Sequence, residues 1–352
     1  GLAYTMIRKK FRFTAANDVA FSGYYQKDLV ADTSIRRNYV NWYPSASMTY
    51  TFAAQTRLSI RYSGNTQPPS LQQLQPIANN ENPLDVIIGN PGLKPQFRNN
   101  FNLWYNSYHI LTEQSIYGSI NYSFTSNAIS SSLNVSDTTG KQTTQSVNVS
   151  GNHSWNGWFG YGFKIKGPDL SLNINGSFDQ SNNVTIVNNF TNLTKSGSYT
   201  GGLGLWKSKE KKYDINLNAN ITYTTSKSSD DPMVLTHYFI YDIQPGANVF
   251  LPWHLQIHGD ADLNIRPKST AFPTNNNVFL VNGWIGKKLL KNDQLMFKAA
   301  VNDLLNQNNG FNRNVSSSFI TQTTYTTIKR YFMFSIVWNF AKAGVAVPNR
   351  GN

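Results

Sequence analysis

Along much of this chain apolar and polar residues alternate one by one. Between Tyr213 and Tyr223, one parity holds Tyr213, Ile215, Leu217, Ala219, Ile221 and Tyr223, and the other holds Asp214, Asn216, Asn218, Asn220 and Thr222. Between Leu255 and Arg266, Leu255, Ile257, Gly259, Ala261, Leu263 and Ile265 alternate with Gln256, His258, Asp260, Asp262, Asn264 and Arg266. The stretches 57–62 and 170–179 repeat the pattern. Successive side chains of a strand point to opposite faces, so each segment has one apolar and one wet face. No helical period of useful length competes with this, and no stretch approaches the ~20 apolar residues of a membrane helix. The chain reads as all-β and antiparallel.

A soluble sandwich alternates too, so other features must choose the architecture. The polar parity is uniformly polar in segment after segment, as a water-filled lumen requires, and the strands reach ~10 residues, the length of a tilted membrane crossing. Short and long connections also take turns. Ala15-Ala16-Asn17, Ala53-Ala54-Gln55, Lys166 to Asp169 and Leu290 to Asp293 read as tight turns, while Asn65 to Pro95, Ser226 to Pro232, Pro267 to Asn276 and Asn306 to Thr323 read as longer loops. Short periplasmic turns facing long external loops are the pattern of outer-membrane barrels. The expectation is an antiparallel transmembrane β-barrel wall of about fifteen strands, with one domain over residues 1–352, in the outer membrane of a Gram-negative cell. Runs such as Asn182-Asn183 and Ser130-Ser131-Ser132 are assigned to loops or strand ends.

Composition agrees and excludes other classes. Only 14% of residues are charged, against 39% hydrophobic and 14% aromatic, so the polarity comes from Asn, Ser, Thr and Gln. There is no Cys, hence no disulfide framework or thiol nucleophile, and the five His are scattered, so no metal or cofactor is expected. The net charge of +13 would suit nucleic acid, but the cations are dispersed. Clusters such as Arg8-Lys9-Lys10 and Lys207 to Lys212 fit solvated turns and lumen walls, and no nucleic-acid partner is expected.

The most specific local signal closes the chain. In RYFMFSIVWNF, Phe332, Phe334, Ile336, Trp338 and Phe340 share one parity, and Tyr331, Met333, Ser335, Val337 and Asn339 the other. A final strand ending in an aromatic resembles the signal read by the barrel assembly machinery, although Ala341 to Asn352 follow it.

A family resemblance rests on a second set of residues. Tyr62 to Pro76 (YSGNTQPPSLQQLQP) and Glu81 to Pro95 (ENPLDVIIGNPGLKP) resemble a loop-and-strand segment of TonB-dependent outer-membrane receptors, with Gly89, Asn90, Pro91, Leu93, Lys94 and Pro95 as its recognisable core. Val301 to Asn308 and the terminal strand resemble the Bacteroidota branch of outer-membrane β-barrel proteins. The motif's prolines cannot donate ladder bonds, so it reads as a stiffened loop before a strand starting near Phe97.

The resemblance implies a barrel of about 22 strands around a plug. If Phe340 ends in the periplasm, counting back makes the first strand, near Tyr4 to Phe13, run downward as well. A barrel that starts and ends in the periplasm has an even count, so this chain is expected to be the C-terminal portion, with plug and first strands absent. The opening GLAYTMIRKKFRF lacks the apolar run of a signal peptide. The implied activity is energised import of a scarce nutrient, with no enzymatic step. Implied partners are outer-membrane lipid and lipopolysaccharide, the assembly machinery, TonB through the plug region, and a small nutrient of unknown kind. The alternatives are a plug-less pore or a surface binding or adhesion protein.

Three motifs invite other chemistry. His258-Gly259-Asp260-Ala261-Asp262 puts a His and two carboxylates on the wet parity, where a general base is conceivable but a wet wall suffices. Trp155-Asn156-Gly157-Trp158 suits sugar stacking but is expected to belong to an interfacial aromatic girdle. Asp230-Asp231 falls short of a Ca²⁺ oxygen shell.

The terminal strand yields a first prediction. In the full-length protein, Phe340→Ala lowers the amount of barrel inserted in the membrane, measured by quantifying protein in purified outer membranes. Ligand affinity per folded molecule stays unchanged, and Asn339→Ser does little. Normal insertion with weakened binding would remove the assembly-signal assignment.

Overall fold

The computed structural model describes residues 1–28, 33–75, 78–82, 84–136, 138–230, 235–269, 272–290, 293–315 and 320–338. Pro76, Pro83, Asp231, Asn339, Phe340 and residues 341–352, which the sequence reading invoked, lie outside them.

Strands account for nearly all regular structure. In chain order they are β1 (Leu2–Arg8), β2 (Phe11–Asp28), β3 (Thr33–Ala53), β4 (Thr56–Gln67), the single turn α1 (Leu71–Leu74), β5 (Ala78–Asn82), β6 (Asp85–Ile88), β7 (Gln96–His109), β8 (Gln114–Ser126), β9 (Ala128–Val135) and β10 (Gln142–Val149). There follow β11 (His153–Ile165), β12 (Leu170–Val187), β13 (Phe190–Lys209), β14 (Tyr213–Ser228), β15 (Leu235–Leu251), β16 (Leu255–Ile265), β17 (Val278–Leu289), β18 (Leu295–Asn302), β19 (Gly310–Val315), β20 (Ile320–Tyr325) and β21 (Tyr331–Trp338). Among the described residues no helix is long and apolar enough to cross a membrane.

Fifteen of these strands form one antiparallel meander, β1-β2-β3-β4-β7-β8-β11-β12-β13-β14-β15-β16-β17-β18-β21. It is an antiparallel transmembrane barrel wall, and its strand number is the one expected from the alternation. Among the described residues β1 pairs only with β2, and β21 only with β18. Both edge strands run toward the same end.

The connections sort by end. One end carries the short turns at Lys9-Lys10, Ala54-Gln55, 110–113, 166–169, 210–212 and 252–254, and the connection from β17 to β18. Left-handed backbone at Lys9, Glu113, Asp169 and Lys211 makes several of these turns tight. The other end carries the long excursions. The predicted turn at Ala15-Ala16-Asn17 is a correction: these residues sit inside β2, opposite Ala46, Ser45 and Pro44. Small residues resemble a turn in sequence, but the charged Lys9-Lys10 pair makes it, and the first strand is Leu2–Arg8. Asn182-Asn183 likewise lie within β12 and Ser130 to Ser132 within β9. The turn belonging to β12 and β13 is Asn188-Asn189, at φ 48 and 67, where Asn tolerates the conformation.

Register converts alternation into continuous rows. Leu203, Ala219, Ile243, Leu263 and Phe279 lie side by side on the apolar face of β13 to β17. An aromatic girdle borders this band. Tyr62 meets Phe101 at 4.9 Å, Tyr122 meets Trp155 at 4.2 Å, and Tyr223 meets Phe239 at 4.9 Å. From Tyr213 to Tyr223 a tilted strand rises about 25 Å, the height of a lipid-facing band. Pro245 falls in β15 where the ladder to β16 lapses between Ile243 and Gly246, so its missing N–H costs no bond there.

Above the girdle the wall continues as an extramembrane layer. β12 and β13 extend to Val187 and Phe190, and β9, β10, β6 and β5 pair in series beside them. Here lies a small buried apolar cluster of Ala128, Val149 and Val184, packed by Val147, Ile186 and Leu193.

The two faces predict opposite responses. Spin labels at Ile215 and Leu263 should report lipid contact, and labels at Asn216, Asn218, Asp262 and Asn264 water; equal accessibility would refute the barrel. Leu217→Lys should cost about 2–4 kcal/mol if Leu217 lies near the bilayer midplane, and Asn218→Lys far less, by denaturant titration of the full-length protein in lipid.

Candidate functional site

The wet face of the meander is the surface on which chemistry is available, and its charge is partitioned. On β2, β4 and β7 the inward parity carries Arg12, Arg57, Arg61 and Arg98, together with the carboxylate of Asp18 on β2. On β14, β15 and β16 it carries Asp214, Asp242, Asp260 and Asp262. Between them, on β8, β11, β12 and β13, inward positions are almost all Asn, Ser, Thr, Gly and aromatic, with Lys164 near one end and Asp179 nearer the other. Segregated charge makes a field across the wet space, while the neutral sector offers hydrogen bonds without selecting sign.

His258 and Asp260 are brought together as the sequence suggested. The His258 Nε2 lies 2.8 Å from Asp260 Oδ1, and Nδ1 lies 2.9 Å from Asn248 Oδ1. Asn282 Nδ2 donates to Asp260 Oδ2 at 2.8 Å. Trp284 stacks on the imidazole at 5.4 Å, and the Lys298 ammonium sits 4.5 Å from the Trp284 ring centre. Asp262 stands apart, accepting from Asn264 Nδ2 at 2.8 Å. Both imidazole nitrogens are engaged by wall residues, so the cluster braces β15, β16 and β17. Asn248, Asn282, Trp284 and Lys298 were not legible beforehand, because they join His258 only through cross-strand register.

Trp155 and Trp158 separate. Trp155 lies beside Tyr122 in the outer girdle, whereas Trp158 pairs with Ser119 on the wet face. The expectation that both are girdle residues is corrected at Trp158, because an offset of three reverses the face of a strand residue. Beside it, Asn102 Nδ2 donates to Asn121 Oδ1 at 2.6 Å and Asn121 Nδ2 donates to Asn156 Oδ1 at 2.9 Å, an amide chain across β7, β8 and β11.

Gly89 to Pro95 form a clamped knot in the extramembrane layer. Asn90 N donates to Gln73 O at 2.6 Å, and Gly92 N to Asn90 Oδ1 at 2.9 Å. Asn90 Nδ2 donates to Ser146 O at 3.0 Å, and Gln145 Nε2 to Gly89 O at 3.2 Å. Lys94 exchanges two bonds with the Asn148 side chain, at 2.8 and 3.0 Å. Arg37 reaches from the wall to Pro91 O at 2.9 Å. Leu93 is buried, as are Leu74 and Pro69 nearby. Pro95 ends the knot immediately before β7 begins at Gln96.

The terminal aromatics Phe332, Phe334, Ile336 and Trp338 lie on the outer face of β21, opposite Val301, Ala299, Phe297 and Leu295. Asp230 donates its N–H to Asn192 Oδ1 at 3.1 Å. No group of three or more His, Asp or Glu that could hold a metal occurs among the described residues.

A model of the outer membrane protein beta-barrel family matches residues 20–184 and 173–338. No curated protein matches the sequence. Among solved structures, the P. putida toluene transporter TodX aligns over 94% of this chain and 89% of its own, at 10% identity and a TM-score of 0.28, a likeness too faint to carry any argument.

The knot predicts a local lesion. A Cβ on Gly89 would stand 1.8 Å from the Gln75 carbonyl oxygen, so α1 and the motif would have to separate. Gly89→Ala should loosen the loop by about 1–3 kcal/mol, seen as faster proteolysis between residues 68 and 95, with the heat resistance of the barrel retained.

Proposed function

The chain belongs to the outer membrane protein β-barrel family, and from that membership we propose that it is the C-terminal wall of a TonB-dependent importer of a small polar nutrient. The observation that carries the reading is the wet face: a polar wall many strands wide, neutral in its central sector and charged on either side. Such a surface is wasted on a solvated sheet but serves a solute path. The clamped Gly89–Pro95 knot, joined to the wall by Arg37, supports kinship with the receptors whose motif it resembles.

In this reading the wall is completed by further strands of the same polypeptide upstream, which the shared direction of β1 and β21 accommodates. A plug with a TonB-contacting segment also lies upstream, and the host is a Gram-negative bacterium of the Bacteroidota. The wall binds and guides its solute without catalysis; lipopolysaccharide and lipid cover its outer face, and the assembly machinery inserts it.

Deleting the gene should impair growth on one class among a panel of sole carbon, nitrogen and iron sources, and deleting tonB should reproduce that defect. A defect insensitive to tonB would replace energised import with a passive pore. No defect on any source would favour a surface binding protein.

A further inference from the structure

The wet face of β7 to β13 holds three tryptophans, Trp104, Trp158 and Trp206, that a water-lined wall does not need. Trp104 on β7 and Trp158 on β11 occupy one row of the wet face, with Ser119 of β8 between them. Alternate strands stand about 10 Å apart, the length of two linked pyranose rings. Trp158 is 44% exposed, on the face opposite the lipid band. Solvating an indole this far is unfavourable, and the wall gains nothing from it unless something apolar-faced covers the ring.

A third ring completes the surface. Tyr117 stands 5.8 Å from Trp158, tilted by 53°. It lies across Gly160, where a Cβ would come within 2.3 Å of its ring, so only glycine admits this pose. Its hydroxyl accepts from Asn173 Nδ2 at 2.9 Å, which fixes the ring in place.

Amides flank the rings on both sides. In the neighbouring row runs the chain Asn102, Asn121 and Asn156, with the Oδ1 of Asn102 and the Nδ2 of Asn156 unpaired among the described residues. On the other side Asn175 and Asn220 lean together over Gly202, where a Cβ would meet their Oδ1 atoms at 2.4 and 2.3 Å. An amide both donates and accepts, as a hydroxyl does, and it carries no charge.

We propose that this surface binds a neutral oligosaccharide: pyranose faces lie on Trp104, Tyr117 and Trp158, and hydroxyls bond to the flanking asparagines. The assignment rests on the importer reading and supplies its substrate class. A hydrocarbon ligand would leave the amides unpaired, and an anionic ligand drawn to Arg61, beside Asn102 at one end of the amide row, would be repelled by Asp179 beside Asn156 at the other.

Calorimetry on the purified full-length protein in detergent tests this, with maltohexaose, xylohexaose, mannohexaose and the anionic hexagalacturonate as probes. At least one neutral hexasaccharide should bind more tightly than hexagalacturonate. Trp158→Ala should weaken that binding at least tenfold, Trp158→Phe less, and Asn121→Ala severalfold. Trp155→Ala, on the outer face, should leave it unchanged. Binding by none of the neutral sugars, tighter binding of hexagalacturonate, or full affinity in a heat-resistant, folded Trp158→Ala barrel would overturn the proposal. A tonB-dependent growth phenotype without sugar binding removes the carbohydrate assignment and leaves the importer. Sugar binding without such a phenotype supports the site and removes the importer.

Discussion

Backbone hydrogen bonding in a medium without water is the constraint on which this structure depends. An unpaired N–H or C=O in the hydrocarbon layer costs several kcal/mol, so a spanning chain that is not helical must give every backbone group a neighbouring strand. The meander does this over thirteen interior strands, leaving β1 and β21 each with one open edge among the described residues. Once the ladder is set, parity decides everything else. Each side chain faces lipid or water with no intermediate choice, and a one-residue slip would turn Leu217 inward and Asn218 outward together.

This inverts the usual relation of apolar residues to burial. Phe332, Phe334 and Ile336 are well exposed because their solvent is lipid, and the apolar band needs no core beneath it. Where the chain leaves that band, water returns and conventional packing returns with it. The Ala128–Val149–Val184 cluster and the buried Leu74 and Leu93 belong to the extramembrane layer. There the backbone can leave the ladder, and its bonds pass instead to side chains such as Asn90, Gln145 and Asn148.

The same reasoning separates what the sequence discloses from what it conceals. Parity is a local property, so the faces of β14 and β16, the fifteen-strand meander and the outward row of β21 could all be read directly. Turn chemistry was less legible. Ala15-Ala16-Asn17 looks permissive but forms no turn, whereas Lys9 adopts φ 41 because a two-residue connection demands it. Register is not local at all. Nothing near His258 announces Asn248 or Asn282, and nothing near Asn121 announces Asn102 and Asn156; those neighbours arise from loop lengths summed over several strands. The Trp155–Trp158 pair separates for a simpler reason: closeness in sequence is not closeness on one face.

Register also explains why so wet a chain carries so little charge. On an inward row, neighbouring strands bring polar groups within about 5 Å, and like charges at that spacing would repel across every pair. Asparagine avoids the penalty: its amide donates to one strand and accepts from the other, as Asn121 does between Asn102 and Asn156. Charge is therefore confined to sectors where it is spaced along a strand, as at Arg57 and Arg61, or tied to a neighbouring amide or ring, as at Asp260 and Lys298. The neutral stretch between those sectors follows from packing many polar strands side by side, and it leaves rings such as Trp158 among amides and hydroxyls, where Trp284 instead lies between His258 and Lys298.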